Sequence, residues 1–287
     1  MNVLIDGIVI GSLYALIALG PSLVYGLMRV LDIANAAGLV LGAYLGLEVF
    51  DAVGSVWLGL LAGMAASAAF GWLLQRFLYR QMLGRGPLVA LIASIGVFIA
   101  MQEVFRLVFG PYSRSFKADV GIPAVTIGGT KVTGVELLIL AIGALVLIST
   151  WAVLHHTRLG LSWRATSQDA ETARAMGINT DAVVGSVFLL GYALAAMAGV
   201  FLGIQYDTVT PTMGAIPAYK MLAIIVLGGL GSPIGTIAAA MLLGIVETVF
   251  AAKFGFVIPR ESIAFLALIL VLLVRPQGLI AGKARAA

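Results

Sequence analysis

The sequence predicts an all-α polytopic membrane protein: a bundle of about seven to nine transmembrane helices forming one domain over residues 1–287. Three observations carry that expectation. Of the 287 residues, 61% are hydrophobic and only 10% are charged, against about 45–50% and about 25% in soluble domains. Mean hydropathy is +1.10, so too little charge is present to cover a water-facing surface. Apolar runs long enough to cross a bilayer recur along the whole chain.

A spanning helix needs about 20 mostly apolar residues to cross about 30 Å of hydrocarbon. Such runs fall at roughly 3–27, 33–50, 54–74, 87–109, 134–154, 182–205, 235–252 and 262–274. A shorter apolar run, 218–231, precedes the seventh. The first run carries Asp6, lacks a basic start and is longer than a signal-peptide core, so it reads as a retained span. Arg and Lys gather in cytoplasmic loops. Four positions are basic: Arg29; Arg76, Arg80 and Arg85; Arg158, Arg164 and Arg174; and the tail 275–287 with Arg275, Lys283 and Arg285. Placing all four inside puts the N-terminus outside and the C-terminus inside. The connector 110–133, with Arg114, Lys117 and Lys131, then lies outside. The Gly-rich stretch near 217–235 is a break between apolar segments. It either crosses, giving nine spans, or re-enters and returns, giving seven spans and a hairpin.

Lipid tails are as apolar as leucine, so helices in a bilayer associate through close backbone approach at small residues. Gly191, Ala195, Gly199 and Gly203 recur every fourth residue on one face of the sixth span, and Gly7, Gly11 and Ala15 do so in the first. Gly42/Gly46, Gly59/Gly63 and Gly231/Gly235 repeat the spacing. With 35 glycines in all, the expectation is a tightly packed bundle; glycine's general frequency in membrane helices is the plainer explanation for any single pair.

Between the fifth and sixth spans, residues 164–179 read as a short helix. Thr166 followed by Asp169 has the spacing of a capping box. Gly177 before Ile178 fits a left-handed C-cap, and Asn179 to Asp181 fit a cap on the next span. Ala170, Ala173 and Met176 share one face, with Asp169, Glu171 and Arg174 elsewhere. Such a helix is suited to a groove on a soluble partner, or it is an ordinary connector.

That loop resembles the coupling loop of branched-chain amino-acid ABC permeases, with Arg164, Ala165, Gln168, Asp169, Ala173, Gly177, Ile178 and Asn179 on the family's pattern. Residues 11–20 (GSLYALIALG), 227–235 (LGGLGSPIG) and 275–279 (RPQGL) resemble its first span, its Gly-rich segment and its C-terminal signature. The likeness runs in order along nearly the whole chain, and points to the smaller of the two permease subunits. It implies docking of Arg164, Gln168, Asp169, Glu171, Ala173, Arg174 and Gly177 on an ATP-binding subunit. It also implies a second, similar permease chain, two ATP-binding subunits that hold ATP and Mg, an extracytoplasmic solute-binding protein, and a place in the bacterial inner membrane. One stretch departs. Where the family usually has Ile-Asn-Phe-Ala-His-Gly, this chain has Leu31-Asp32-Ile33-Ala34-Asn35-Ala36. A branched-chain amino acid or a related small polar solute are both compatible with that.

Ionisable groups at membrane depth usually face the bundle interior or water. Asp32, Glu103 and Glu247 are the candidates, with Asn35 and Gln102 as neutral polar groups. Glu103 and Arg106 are spaced to pair on one helix, and Arg29 and Asp32 have the same spacing. Glu247 lies towards a helix end, where it either reaches the interface or lines the path. Interrupted spans mark solute paths, which adds Gly228, Gly229, Gly231 and Ser232 to Asp32, Asn35 and Glu247 as the expected translocation path.

Several classes find no support. No Gly-x-x-x-x-Gly-Lys-Ser/Thr loop occurs, so ATP hydrolysis by that device belongs to other chains. Cysteine is absent, which excludes disulfides and thiol chemistry. His155 and His156 stand alone at a span end and read as interfacial residues, not metal ligands. The net charge of +4 has no basic–aromatic stripe and does not point to nucleic acid. The alternative to an importer subunit is a stand-alone secondary transporter or channel coupled through Asp32 or Glu247. An intramembrane enzyme would need a catalytic pair that the sequence does not offer.

Overall fold

The computed structural model describes residues 2–82, 86–118, 121–127 and 130–254, with positions 266, 269 and 273. The span expected at 262–274, apart from those three positions, lies outside the described residues, as do Arg85 and the tail with its 275–279 motif. Among the described residues, seven helices are long and apolar enough to cross a membrane. They comprise α1 (Asn2–Met28), α2 (Asn35–Val53), α3 (Val56–Leu74), α5 (Pro87–Phe109), α6 (Gly134–His156), α9 (Thr180–Gln205) and α11 (Pro233–Phe254). α3 runs on through a π-helical turn, Gln75–Tyr79, into the short α4 (Arg80–Met82). α7 (Arg158–Gln168) and α8 (Ala170–Ala175) fill the loop before α9, and α10 (Ala215–Gly228) precedes α11.

Local chemistry sets the boundaries. Thr133 and Glu136 close a reciprocal capping box at the start of α6, which satisfies two amide groups the first turn leaves unpaired. Ser55 caps α3, accepting from the Leu58 amide. Pro87 opens α5, where its missing N–H costs nothing. Gly54, at φ 73°, ends α2, a conformation that disfavours any Cβ.

α9 is the hub. In its most apolar stretch 78% of residues are buried, against 17% for α5 and 28% for α6, so α5 and α6 form the rim. Small residues admit the neighbours: a Cβ added at Gly20 of α1 would lie 2.5 Å from the Gly191 Cα of α9. Gly42 of α2 backs onto Ala196, and Gly199 onto the Leu39 carbonyl. Gly203 faces Phe116 and Val209, while Ala195 is fully buried. Gly7 and Gly11 of α1 meet the Ile245 and Met241 backbones of α11, an antiparallel pair. Gly59 and Gly63 of α3 meet the carbonyls of Gly46 and Gly42.

The connector 110–133 is not plain coil. Strand β1 (Arg114–Ser115) pairs antiparallel with β4 (Thr208–Val209), and β2 (Val125–Ile127) with β3 (Thr130–Val132). Arg114 is ion-paired to Glu48 and, at 3.2 Å, to Asp51 at the end of α2. Beyond β4 the chain dips back into the bundle, where Gly214 rests against Ala36, Val40 and Phe98. Irregular backbone is tolerated at such depth only where protein or water covers it.

The loop 157–179 corrects one expectation. Thr166 does not start a helix: it is buried inside α7 and its hydroxyl has no partner. The break falls at Asp169, whose carboxylate accepts from the Glu171 and Thr172 amides at 2.9 and 3.1 Å and from the Thr172 hydroxyl at 2.5 Å. The Thr172 hydroxyl, then those amides, hold the Asp169 carboxyl below its ordinary pKa. α8 ends on Gly177 at φ 86°, with Gly177 N–H donating to Arg174 and Ile178 N–H to Ala173, a Schellman closure. Asn179 then accepts from the Ala182 amide and caps α9.

Candidate functional site

Two buried polar clusters and one exposed loop gather the chemistry. The first cluster surrounds Asp32, in the connector between α1 and α2. Its spacing offers Arg29 as a partner, but the structure supplies two tyrosines instead. Asp32 is fully buried and accepts from Tyr79 at 2.5 Å and Tyr192 at 3.0 Å. The π-helical turn of residues 75–79 delivers Tyr79, and π turns of this kind recur at functional sites. Phe188 packs between the two rings, with centroids 5.0 Å from Tyr79 and 6.1 Å from Tyr192. Asn35, the first residue of α2, is also fully buried, and neither atom of its side-chain amide has a partner.

The second cluster corrects the reading of Glu247 as a residue near an interface. Glu247 is 0% exposed and ion-paired to Lys220, itself 4% exposed. Tyr14 donates to Glu247 at 2.7 Å and accepts from Lys220 at 2.6 Å. Three helices, α1, α10 and α11, are thereby tied at one point. Beside it lies a cavity of about 410 Å³, lined by Tyr14, Ile17, Thr210, Met213 and Lys220 among others. Sequence spacing predicts none of Lys220, Tyr14, Tyr79 and Tyr192. A lysine inside the apolar run 218–231 is nevertheless a signal, because cations at membrane depth are rarely idle.

The expected path residues are therefore not brought together. Asp32 and Asn35 sit with α3 and α9, and Glu247 sits with α1 and α10. Gly228, Gly229, Gly231 and Ser232 occupy the turn between α10 and α11. Gly229 and Gly231 have φ of 99° and 78°, Gly228 presses on the Gly235 backbone, and Gly231 faces Gly26 of α1. Ser232 accepts from the Gly235 amide at 3.2 Å, closing the first turn of α11. α10 has 14 residues, about 21 Å of helix, which is short of the bilayer core.

The exposed loop lies at the end of the bundle that also holds Arg29, Arg76 and Arg80. Arg164 lines a groove with Leu27, Trp163 and Pro233. Gln168, Asp169, Glu171, Arg174 and Gly177 are exposed, and Ala173 is buried. Ala170 and Met176, on the face shared with Ala173 in the sequence pattern, are exposed, Met176 to 79%. Arg174 donates to Thr180 at 2.7 Å and lies 3.9 Å from Asp181, which also pairs with Arg80 at 3.0 Å. Glu103 and Arg106 pair on the exposed side of α5 at 3.0 Å.

The family model described as the permease component of branched-chain amino acid transport systems matches residues 3–274. The chain belongs to that family. Among the relatives of this permease is the high-affinity branched-chain amino acid transport system permease protein BraD of Pseudomonas aeruginosa. It is 33% identical over 296 residues, covering 96% of this chain and 94% of BraD. LivH of Escherichia coli, named for the same transport system, is 31% identical, covering 96% and 93%. The ribose import permease protein RbsC of Escherichia coli is 26% identical over 81% of this chain and 73% of its own length. No solved structure matches this family member.

Proposed function

We propose that this chain is the smaller permease subunit of an ATP-driven importer that carries branched-chain amino acids, or a related small polar solute, across a bacterial inner membrane. The single observation behind this reading is the family match along residues 3–274, joined to an exposed, well-capped loop helix at the basic end of the bundle. The basic residues at the ends of α1 and α3 and in α7–α8 favour a cytoplasmic position for that end, with the N-terminus outside and the C-terminus inside. The short α10 and the Gly229–Ser232 turn favour a re-entrant segment.

In this reading the chain pairs with a second, similar permease. Two ATP-binding subunits, carrying ATP and Mg, grip α7–α8 through Arg164, Gln168, Asp169, Glu171, Arg174 and Met176. An extracytoplasmic binding protein delivers solute near the β1–β4 and β2–β3 strands. ATP-driven closure of the ATPase pair moves the loop and rocks the bundle, alternately exposing the path to each side.

Proteoliposomes carrying the chain with its second permease, ATP-binding subunits and binding protein test this. ATP-dependent uptake of L-leucine is expected, and a Glu171→Lys/Met176→Glu variant should abolish both uptake and co-purification of the ATPase. Uptake driven by an ion gradient with this chain alone would overturn the importer reading.

A further inference from the structure

We propose that the cavity of about 410 Å³ beside Lys220 is a docking site for the carboxylate of a small aliphatic amino acid, with Lys220 as the recognising group. The cavity lies between α1, the end of α9, residues 208–213 and the start of α10. Its volume falls within the roughly 300–1,000 Å³ usual for small-molecule sites. Lys220 lines it although only 4% exposed, so a cation withdrawn from bulk solvent borders an open space. An ammonium carries three N–H donors. Tyr14 and Glu247 engage two, which leaves a third for an incoming anion. Glu247, which does not line the cavity, anchors the ammonium from α11.

The remaining walls fit the rest of such a solute. Ile17, Leu202 and Met213 give an apolar side for an aliphatic chain, and the Thr210 hydroxyl can accept from the solute's ammonium. A zwitterion adds no net charge to a pair that is already neutral, so entry strands no charge. The irregular 208–213 segment supplies part of the lining, at the end of the bundle opposite α7–α8. A solute released at that face therefore meets this cavity before the Asp32 cluster. The assignment rests on the amino-acid permease reading.

The natural chain has no cysteine, so a Thr208→Cys variant, at a lining residue given no part in holding the solute, carries a single reporter thiol on this chain. Its labelling rate by a small methanethiosulfonate is read in the assembled complex. L-leucine should slow labelling about threefold once present at about twice its dissociation constant. 3-Methylbutylamine, the same carbon chain without the carboxylate, should leave the rate unchanged. In a Lys220→Met/Glu247→Gln background, which removes both charges together, leucine protection should vanish; in Lys220→Arg it should persist. Equal protection by leucine and the amine, protection that survives the double substitution, or no labelling at all would each overturn the site. Should the double variant fail to accumulate, the contrast of leucine with the amine in the Thr208→Cys protein with Lys220 and Glu247 intact, and the Lys220→Arg result, decide. ATP-dependent uptake measured in parallel separates the two readings: its absence sinks the importer, whereas protection is read without ATP.

Discussion

Asp32 shows what a buried carboxylate demands of its surroundings. A hydrogen bond to a charged group contributes about 1.5–3 kcal/mol, and a buried hydroxyl left without a partner costs about 1–3 kcal/mol. Asp32→Ala strands both Tyr79 and Tyr192, while Asp32→Asn keeps one acceptor oxygen. Thermal unfolding of the purified protein in detergent should therefore rank wild type above Asp32→Asn and Asp32→Asn above Asp32→Ala. An Asp32→Ala protein as stable as Asp32→Asn would remove the tyrosines from the account. At this scale the sequence was legible in kind and not in partner. It marks Asp32 and Glu247 as unusual because charge is scarce in the spans. It cannot reveal that Tyr79 reaches Asp32, because that contact depends on a π turn and joins residues 47 apart. Lys220 is absent from the expected path residues, although a lysine interrupting the apolar run 218–231 is a signal that could have marked it.

Elements were the most legible level. The apolar runs locate seven spans to within a few residues of their ends, because length and hydropathy alone decide a helix in lipid. Glycine spacing carries less: a four-residue repeat marks a face but not its partner, and only the fold pairs Gly20 with Gly191. That pairing yields a contrast of opposite signs. At Gly20 an added methyl would meet the Gly191 backbone, whereas at Gly96 of α5 nothing lies within 4 Å. Gly20→Ala should lose about 1–3 kcal/mol to overpacking, and Gly96→Ala should be neutral or gain up to about 1 kcal/mol from helix propensity. Apparent melting temperatures that fall equally in both would show that the α1–α9 approach is loose. The split of residues 157–179 into α7 and α8 was not legible, because Thr166 and Asp169 are both good caps and tertiary burial of Thr166 decides between them.

For the whole molecule, the proposed docking of α7–α8 on an ATP-binding subunit depends on orientation. The cysteine-free background allows a direct check. An impermeant maleimide applied to intact cells should label Tyr112→Cys, on the 110–133 connector, and spare Gln168→Cys until the membrane is opened. The reverse pattern would invert the bundle and remove the ATPase from α7–α8. The basic loops supply the expected orientation, with Arg114 on the 110–133 connector running against the trend, and the labelling pattern tests it. A mechanical consequence follows from the Gly177 closure. Only Met176 to Asn179 separate α8 from α9, and Arg174 clasps the first turn of α9 through Thr180 and Asp181. A push on this six-residue lever thus arrives at the spindle of the bundle, not its rim, so a small stroke at the surface turns the one helix against which α1, α2 and α3 all bear.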